Sequence, residues 1–249
     1  MNDLPASPDN GSPQVLGLQP VELGLDLDQL ARGLGYRADA QHQRCLPPKV
    51  RGPAEEMLEQ GLSLIHARAV WRELPVVIDH RRDFIECGSP DLVPLSVGGL
   101  VRSQLMGSES LAVFVLTLGS ALERTARTLM NAGQLLDGYL LDTVGSIAAE
   151  AAASQLEQSI AAAVSARGLL TTNRFSPGYC TWETAGQTEL FSLLPQRPAG
   201  VRLSDSLMMH PIKSISGIIG LGADVERRPY NCEFCGHSVC HQRLVEAQV

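Results

Sequence analysis

The chain has 249 residues and a formal net charge of −7, with 44% hydrophobic and 4% aromatic residues. A chain of this length can bury a full hydrophobic core, and we expect one domain with appendages. The acidic balance argues against nucleic-acid and anionic-membrane partners, which are recognised by clustered Lys and Arg. The scarcity of aromatic residues also leaves few side chains for stacking on bases.

The sequence carries neither a bilayer-spanning segment nor an export signal that we can identify. Its longest apolar runs, residues 111–118 and 215–223, fall well short of the roughly 20 residues that a transmembrane helix needs. Residues 1–13 are rich in Pro, Ser and Asn and lack the basic and apolar blocks of a signal peptide. We therefore expect a cytoplasmic protein.

Composition along the chain predicts three regions. Residues 1–20 are expected to be a flexible lead, residues 21–228 a folded domain, and residues 229–249 a cysteine-bearing tail.

Within the predicted domain, apolar spacing indicates several helices and strands. Pro53 begins a helical pattern that we expect Pro75 to end, and residues 111–118 form the clearest strand. Residues 134–167 are expected to form the longest helix, with Gly168 after it. Long helices combined with unevenly spaced strands favour an α+β fold over a regularly alternating one.

A candidate binding loop extends from Arg174 to Tyr179 and reads RFSPGY. An Arg side chain offers a fork that matches a carboxylate, and Gly178 allows a ligand to approach the backbone closely. Tyr179 adds a flat face with a polar tip. A surface turn with a solvated Arg is the alternative interpretation of these residue types.

A second motif, MMHPIKSISG over residues 208–217, follows this loop. The RxxxGY and MMxPxKSxSG patterns, with the Leu-rich helix between them, resemble the C-terminal reactivation domain of cobalamin-dependent methionine synthase, and most closely its stand-alone relatives. The resemblance reaches from about Val21 and is strongest over residues 142–222. It implies a fold in which long helices pack on a twisted, mainly antiparallel sheet.

The resemblance also implies a site for S-adenosylmethionine, a ligand that this family binds. Arg174 would pair with the ligand's carboxylate, and Glu150, on the long helix, would accept from its ammonium group. Gly178 and Tyr179 would lie against the ligand. A solvated helix carboxylate, or a partner for Arg174, is the alternative interpretation of Glu150.

Ser214 and Ser216 are further candidates for cofactor binding, as is Lys213 for a role at the ligand or corrinoid. Turn chemistry that caps backbone groups is an equally good interpretation of these residues. Ile218 and Ile219 stand where the methionine synthase domain has aromatic residues, which puts the contacts made there in doubt.

The function implied is the reactivation, in trans, of a cobalamin-dependent methyltransferase of the methionine synthase type by reductive methylation. The chain lacks a recognisable Asp-x-His-x-x-Gly cobalamin-carrying pattern, so the corrinoid is expected to come from a partner protein. Two alternatives are a non-catalytic module that senses S-adenosylmethionine or docks on a corrinoid protein, and an iron-sulfur electron donor to such a protein.

Three cysteines near the end, Cys232, Cys235 and Cys240, have C-x2-C-x4-C spacing. Thiolates so close in sequence can bind an iron-sulfur cluster or zinc. His237 or His241 could complete a zinc site, and Cys180 could be the fourth ligand of a cluster. A cluster is the preferred prediction because reactivation requires an electron, and a metal-free thiol tail is the remaining alternative.

Overall fold

A computed structural model describes residues 12–18, 23–38 and 44–228. The helices are Leu27–Gly33 (α1), Pro48–Leu64 (α2), Gly98–Gln104 (α3), Ala121–Asn131 (α4), Leu135–Ser165 (α5) and Gly186–Ser192 (α6). The strands are Gln14–Gly17 (β1), Arg68–Val77 (β2), Ile85–Cys87 (β3), Val93–Leu95 (β4), Ser110–Thr117 (β5), Leu170–Phe175 (β6), Arg202–Leu203 (β7), Met209–His210 (β8) and Ser214–Gly222 (β9).

The main sheet has the order β4-β3-β2-β5-β9-β6, with β1 also paired to β2. Every pairing in it is antiparallel, and β5 forms long ladders with both β2 and β9. β7 and β8 form a separate two-stranded hairpin. This mixture of helices and an antiparallel sheet confirms the predicted α+β class. Residues 14–17, which were predicted to belong to the flexible lead, form β1.

The sheet is covered on both faces, and alternate residues of its strands enter two different cores. Phe114 and Ile219 pack in a core with α1, α2, α4 and α5. Val113 and Ile218 face the opposite way, into a second core with α3 and α6. Because both faces are buried, all eight residues of β5 are buried, which explains its uninterrupted apolar sequence.

Helix α5 confirms the predicted long helix and packs closely on its neighbours. Small residues allow that closeness: a Cβ added to Gly145 would lie 2.7 Å from the Leu122 side chain and 3.0 Å from that of Lys213. Gly168, predicted to stop the helix, lies just beyond it with a φ of +74°.

The predicted extent of the helix around Pro53 was wrong. α2 ends at Leu64, and Pro75 lies inside β2. The cause is tertiary pairing, because β2 forms an antiparallel ladder with β5 that ends at the pair Pro75 and Ser110. A proline is tolerated at that last position, where a lost N–H interrupts little of the ladder.

None of the helices in the described ranges combines the length and apolar character needed to cross a membrane.

Candidate functional site

Arg174 lies near the end of β6 and is held by two glutamates of α5. It stands opposite Ile219 of β9, on the sheet face that α5 covers. Its Nη2 atom donates to Oε2 of Glu150 at 2.8 Å. Its Nε atom forms an ion pair with Oε1 of Glu157 at 3.1 Å. The structure therefore brings together two predicted site residues and adds a third, Glu157.

The three side chains differ in their access to water. The side chains of Arg174 and Glu157 are 14% and 15% exposed, whereas that of Glu150 is 51% exposed. Burial raises the pKa of Glu157 above its ordinary value of 4.5, although the guanidinium groups of Arg174 and Arg227 act to lower it. The nearby Glu150 carboxylate adds to the increase in pKa. Glu157 is thus a desolvated carboxylate, and Glu150 is a largely hydrated one.

The last described residues of the chain join the same network. Arg227 forms an ion pair with Oε2 of Glu157 at 3.3 Å. The backbone N–H of Arg228 donates to Oδ1 of Asn173 at 3.1 Å, and Nδ2 of Asn173 donates back to the Arg228 carbonyl at 2.6 Å. The end of the described chain is therefore attached to β6 beside Arg174.

Gly178 and Tyr179 lie in the loop that continues from β6. The Gly178 N–H donates to the Trp182 carbonyl at 2.8 Å, and the Trp182 N–H donates to the Tyr179 carbonyl at 3.1 Å. Trp182 is buried, so it fixes this loop to the second core. Gly178 has a φ of +91°, a conformation that favours glycine, and Tyr179 is 61% exposed. Tyr179 therefore presents an exposed ring on a loop that Trp182 fixes.

Ser214 and Ser216 face the opposite side of the sheet from Arg174. The Ser214 hydroxyl lies 2.8 Å from that of Thr117 and 2.7 Å from the Pro211 carbonyl oxygen. Ser216 accepts a hydrogen bond of 3.3 Å from Nε2 of Gln187 in α6. Both serines are buried and hydrogen-bonded to other groups of the protein. That they contact a cofactor stays a prediction.

Lys213, which precedes these serines, lies on the α5 side. Its Nζ atom forms an ion pair with Oδ1 of Asp142 at 2.8 Å and donates to the Ser146 hydroxyl at 2.9 Å. These two contacts join the end of the β8–β9 connection to α5, and the lysine side chain is only 10% exposed.

Ile218 and Ile219 are fully buried, one in each core.

The proposed metal ligands Cys232, Cys235 and Cys240 lie outside the described residues, as do His237 and His241. Within the described part of the chain, no group of three or more His, Cys, Asp or Glu side chains is arranged to hold a metal ion.

Sequence reasoning missed Glu157, although a signal for it was present. It follows Glu150 by seven residues, which is about two turns of an α-helix, so both carboxylates lie on one face of α5. Once Glu150 was a candidate partner for Arg174, this spacing could have identified the second carboxylate.

Arg174 and its two glutamates together offer both charges that an amino-acid zwitterion requires. A guanidinium binds a carboxylate strongly, and a glutamate accepts hydrogen bonds from an ammonium group. Arg174 lines neither of two cavities, of about 250 and 190 Å³, that open beside α1 and α2. At Arg174 the glutamate carboxylates occupy the Nε–Nη2 edge of the guanidinium, so a ligand carboxylate that binds this edge would have to exchange with one of them.

Comparisons with known proteins agree with this fold. A family model described as "Vitamin B12 dependent methionine synthase, activation domain" matches residues 95–238, which include Glu150, Glu157 and Arg174. A solved structure described as "Crystal Structure of the MetH Reactivation Domain bound to AdoHcy" aligns with a TM-score of 0.65 and 15% identity, over 87% of this chain and 80% of that one. At 15% identity, this similarity shows that the two chains share a fold. No curated protein sequence gives a significant match.

Proposed function

Since the chain belongs to the family of vitamin B12-dependent methionine synthase activation domains, we propose that it binds S-adenosylmethionine and reactivates a cobalamin-dependent methyltransferase in trans. The reaction proposed is the reductive methylation of cob(II)alamin. The fold that this chain shares with a reactivation domain bound to AdoHcy supports the choice of ligand, because AdoHcy is the demethylated form of S-adenosylmethionine.

The observation that carries this proposal is the ion pair between Arg174 and Glu150 at the end of β6. The ligand's carboxylate would bind the guanidinium of Arg174, and its ammonium group would bind the carboxylate of Glu150. Gly178 and Tyr179 would contact the remainder of the ligand through backbone and ring. The residues present thus fit the charges of the methionine moiety.

The bound ligand supplies an electrophilic methyl group on a sulfonium. With one electron from a reductant, this methyl group would be transferred to the cob(II)alamin of a partner protein, and S-adenosylhomocysteine would be the other product. The task of this chain's own residues is to bind and orient the methyl donor against a docked corrinoid.

The partner is proposed to be a corrinoid-carrying methyltransferase, such as a methionine synthase that lacks its own reactivation domain. Residues 208–217 are a candidate docking surface. Met208 is 52% exposed and Ile212 is 41% exposed, so both can contact a partner. Methionine side chains adapt to irregular apolar surfaces. Ser214 and Ser216 remain candidates for contacts with the ligand or corrinoid.

The C-terminal cysteines are proposed to supply the electron. Cys232, Cys235 and Cys240 would bind an iron-sulfur cluster, with zinc as the alternative metal. Anaerobic purification of the full chain tests this, because a cluster gives visible absorption that bleaches on reduction. A variant combining Cys232→Ala and Cys235→Ala should lose that absorption. A colourless protein with about one zinc and no iron would contradict the electron-transfer role.

The reactivation proposal is tested by mixing the full chain with a corrinoid methyltransferase in the cob(II)alamin state, S-adenosylmethionine and a reductant. Formation of methylcobalamin, followed by its absorption spectrum, is the expected result, and omission of this chain should abolish it. If S-adenosylmethionine binds but no methylcobalamin forms with any corrinoid protein of the same cell, the chain is a sensing or docking module instead.

A further inference from the structure

The guanidinium of Arg174 is divided between two carboxylates that are not equivalent. Nε pairs with Glu157 and Nη2 with Glu150, so one edge of the guanidinium contacts two different side chains of α5. A ligand carboxylate that binds this edge must take the place of one of them, and their surroundings indicate which one.

We propose that Glu157 is a positioning residue that holds Arg174 in the orientation that a ligand carboxylate needs, while Glu150 is the carboxylate that gives up the guanidinium. This inference rests on the proposed function and extends it to a residue that the family resemblance did not point to. In the bound state, Glu150 would exchange its arginine for the ligand's ammonium group, and Glu157 would keep its contact with Nε.

Burial and the number of partners explain why Glu157 stays in place. Its side chain is 15% exposed, and its two oxygens pair with different arginines: Oε1 with Arg174 and Oε2 with Arg227. Arg227 is held in turn by a 3.3 Å contact between its Nε atom and the Thr171 hydroxyl. Moving Glu157 would break two ion pairs at a partly desolvated position, where unpaired charge is costly.

Glu150 would break fewer ion pairs than Glu157 if it moved. Its carboxylate pairs with Arg174 and is about half exposed, so water can solvate it when the guanidinium leaves. Hydration of the released carboxylate limits the free energy that Glu150 loses with this ion pair. A ligand that offers Arg174 a carboxylate and offers Glu150 an ammonium group replaces one ion pair by two.

The electrostatics of Glu157 support a functional role over a stabilising one. Its pKa is raised because burial outweighs the attraction of Arg174 and Arg227. An ionised carboxylate at this position is therefore less favourable in the folded chain than in water. Groups kept at such a cost are typical of functional sites.

The test compares two ligands on the full chain by calorimetry: S-adenosylmethionine and its decarboxylated form, which keeps the ammonium and the sulfonium. The quantity measured is the ratio of the two affinities. Glu157→Gln should lower this preference for the carboxylate ligand about tenfold, the loss of one charge-assisted contact, because its effect passes through Arg174. Glu157→Asp, which keeps the charge and shortens the reach, should lower it as well.

Glu150→Gln is the matched control, because it removes one negative charge from the same helix. It should raise the preference for S-adenosylmethionine, since Arg174 is released while both ligands lose the same ammonium contact. A general charge effect would raise the preference in both Gln variants. A preference that is unchanged or raised in Glu157→Gln and Glu157→Asp would overturn this inference alone. Failure of the wild-type chain to bind S-adenosylmethionine would overturn the proposed function and this inference together.

Discussion

The Nε atom of Arg174, near the end of β6, lies 3.1 Å from Oε1 of Glu157 in the C-terminal half of α5. This contact joins the edge strand of the sheet to its longest helix. It also connects Arg174 to Arg227, through the second oxygen of Glu157, and so to the end of the described chain. The candidate ligand site and the base of the cysteine-bearing tail therefore share one carboxylate.

The stability of the folded chain should depend on pH through the ionisation of Glu157. Its pKa is raised in the folded chain, so its stabilising contribution is fully present below the ordinary value of 4.5 and is lost as pH rises through the raised pKa. Glu157→Gln resembles the neutral acid and does not titrate. The melting temperature of the wild type, relative to that variant, should fall as pH increases from about 4 to 8.

The groups that face Glu157 are Arg174 from β6, Arg227 from the end of the described chain and Glu150 from its own helix. If the wild type instead gained stability over the variant as pH increased, the attraction of the two arginines would outweigh burial, and the pKa of Glu157 would be lowered rather than raised.

Gly217 should tolerate no side chain. A Cβ at this position would lie 2.6 Å from the Phe175 carbonyl oxygen and 2.9 Å from the Phe114 ring. We expect Gly217→Ala to destabilise the chain by about 1–3 kcal/mol in chemical denaturation, the usual range for overpacking.

Gly99→Ala provides the contrasting control, since this glycine lies exposed in α3 and a Cβ there would have no neighbour within 4 Å. The higher helix propensity of alanine should leave stability unchanged or raise it by up to about 1 kcal/mol. Equal effects of the two substitutions would contradict the packing described between β9, β5 and β6.

Cys87 should be chemically inert in the folded chain. It is fully buried, and burial raises the pKa of its thiol to about 12, with Arg72 acting in the opposite direction. Because the thiolate is the reactive form, iodoacetamide at about pH 8 should leave Cys87 unmodified and label the exposed Cys45. Peptide mass spectrometry measures both sites. Labelling of Cys87 at the rate seen in unfolded chain would show that this core opens readily.

The sequence predicted the elements whose signals are local. α5 carries apolar residues at helical spacing over a long stretch, and β5 is an uninterrupted run of buried residues, so both were recognised. β6 was not predicted as a strand, because its identity depends on pairing with β9: Arg174 lies opposite Ile219, a residue far along the chain. The same dependence on distant pairing explains why the helix around Pro53 was predicted too long.

The candidate site was predictable only in part, for a related reason. The family resemblance identified Arg174 and Glu150, and the fold brings them to 2.8 Å. It could not show that Ser216 faces α6 on the other side of the sheet, or that Glu157 shares the guanidinium. Those facts depend on which face of a strand or helix each side chain occupies.

The central claim, that Arg174 anchors S-adenosylmethionine, is tested most directly by calorimetric titration of the full chain with that ligand. The wild type should bind, and Arg174→Ala should weaken binding by about 1.5–3 kcal/mol, roughly ten- to a hundredfold, since a charge-assisted contact is lost. Arg44→Ala is the matched control, because Arg44 forms a similar half-buried ion pair with Asp28, at 3.0 Å, and should leave affinity unchanged. Equal affinity of the wild type and Arg174→Ala would contradict the claim.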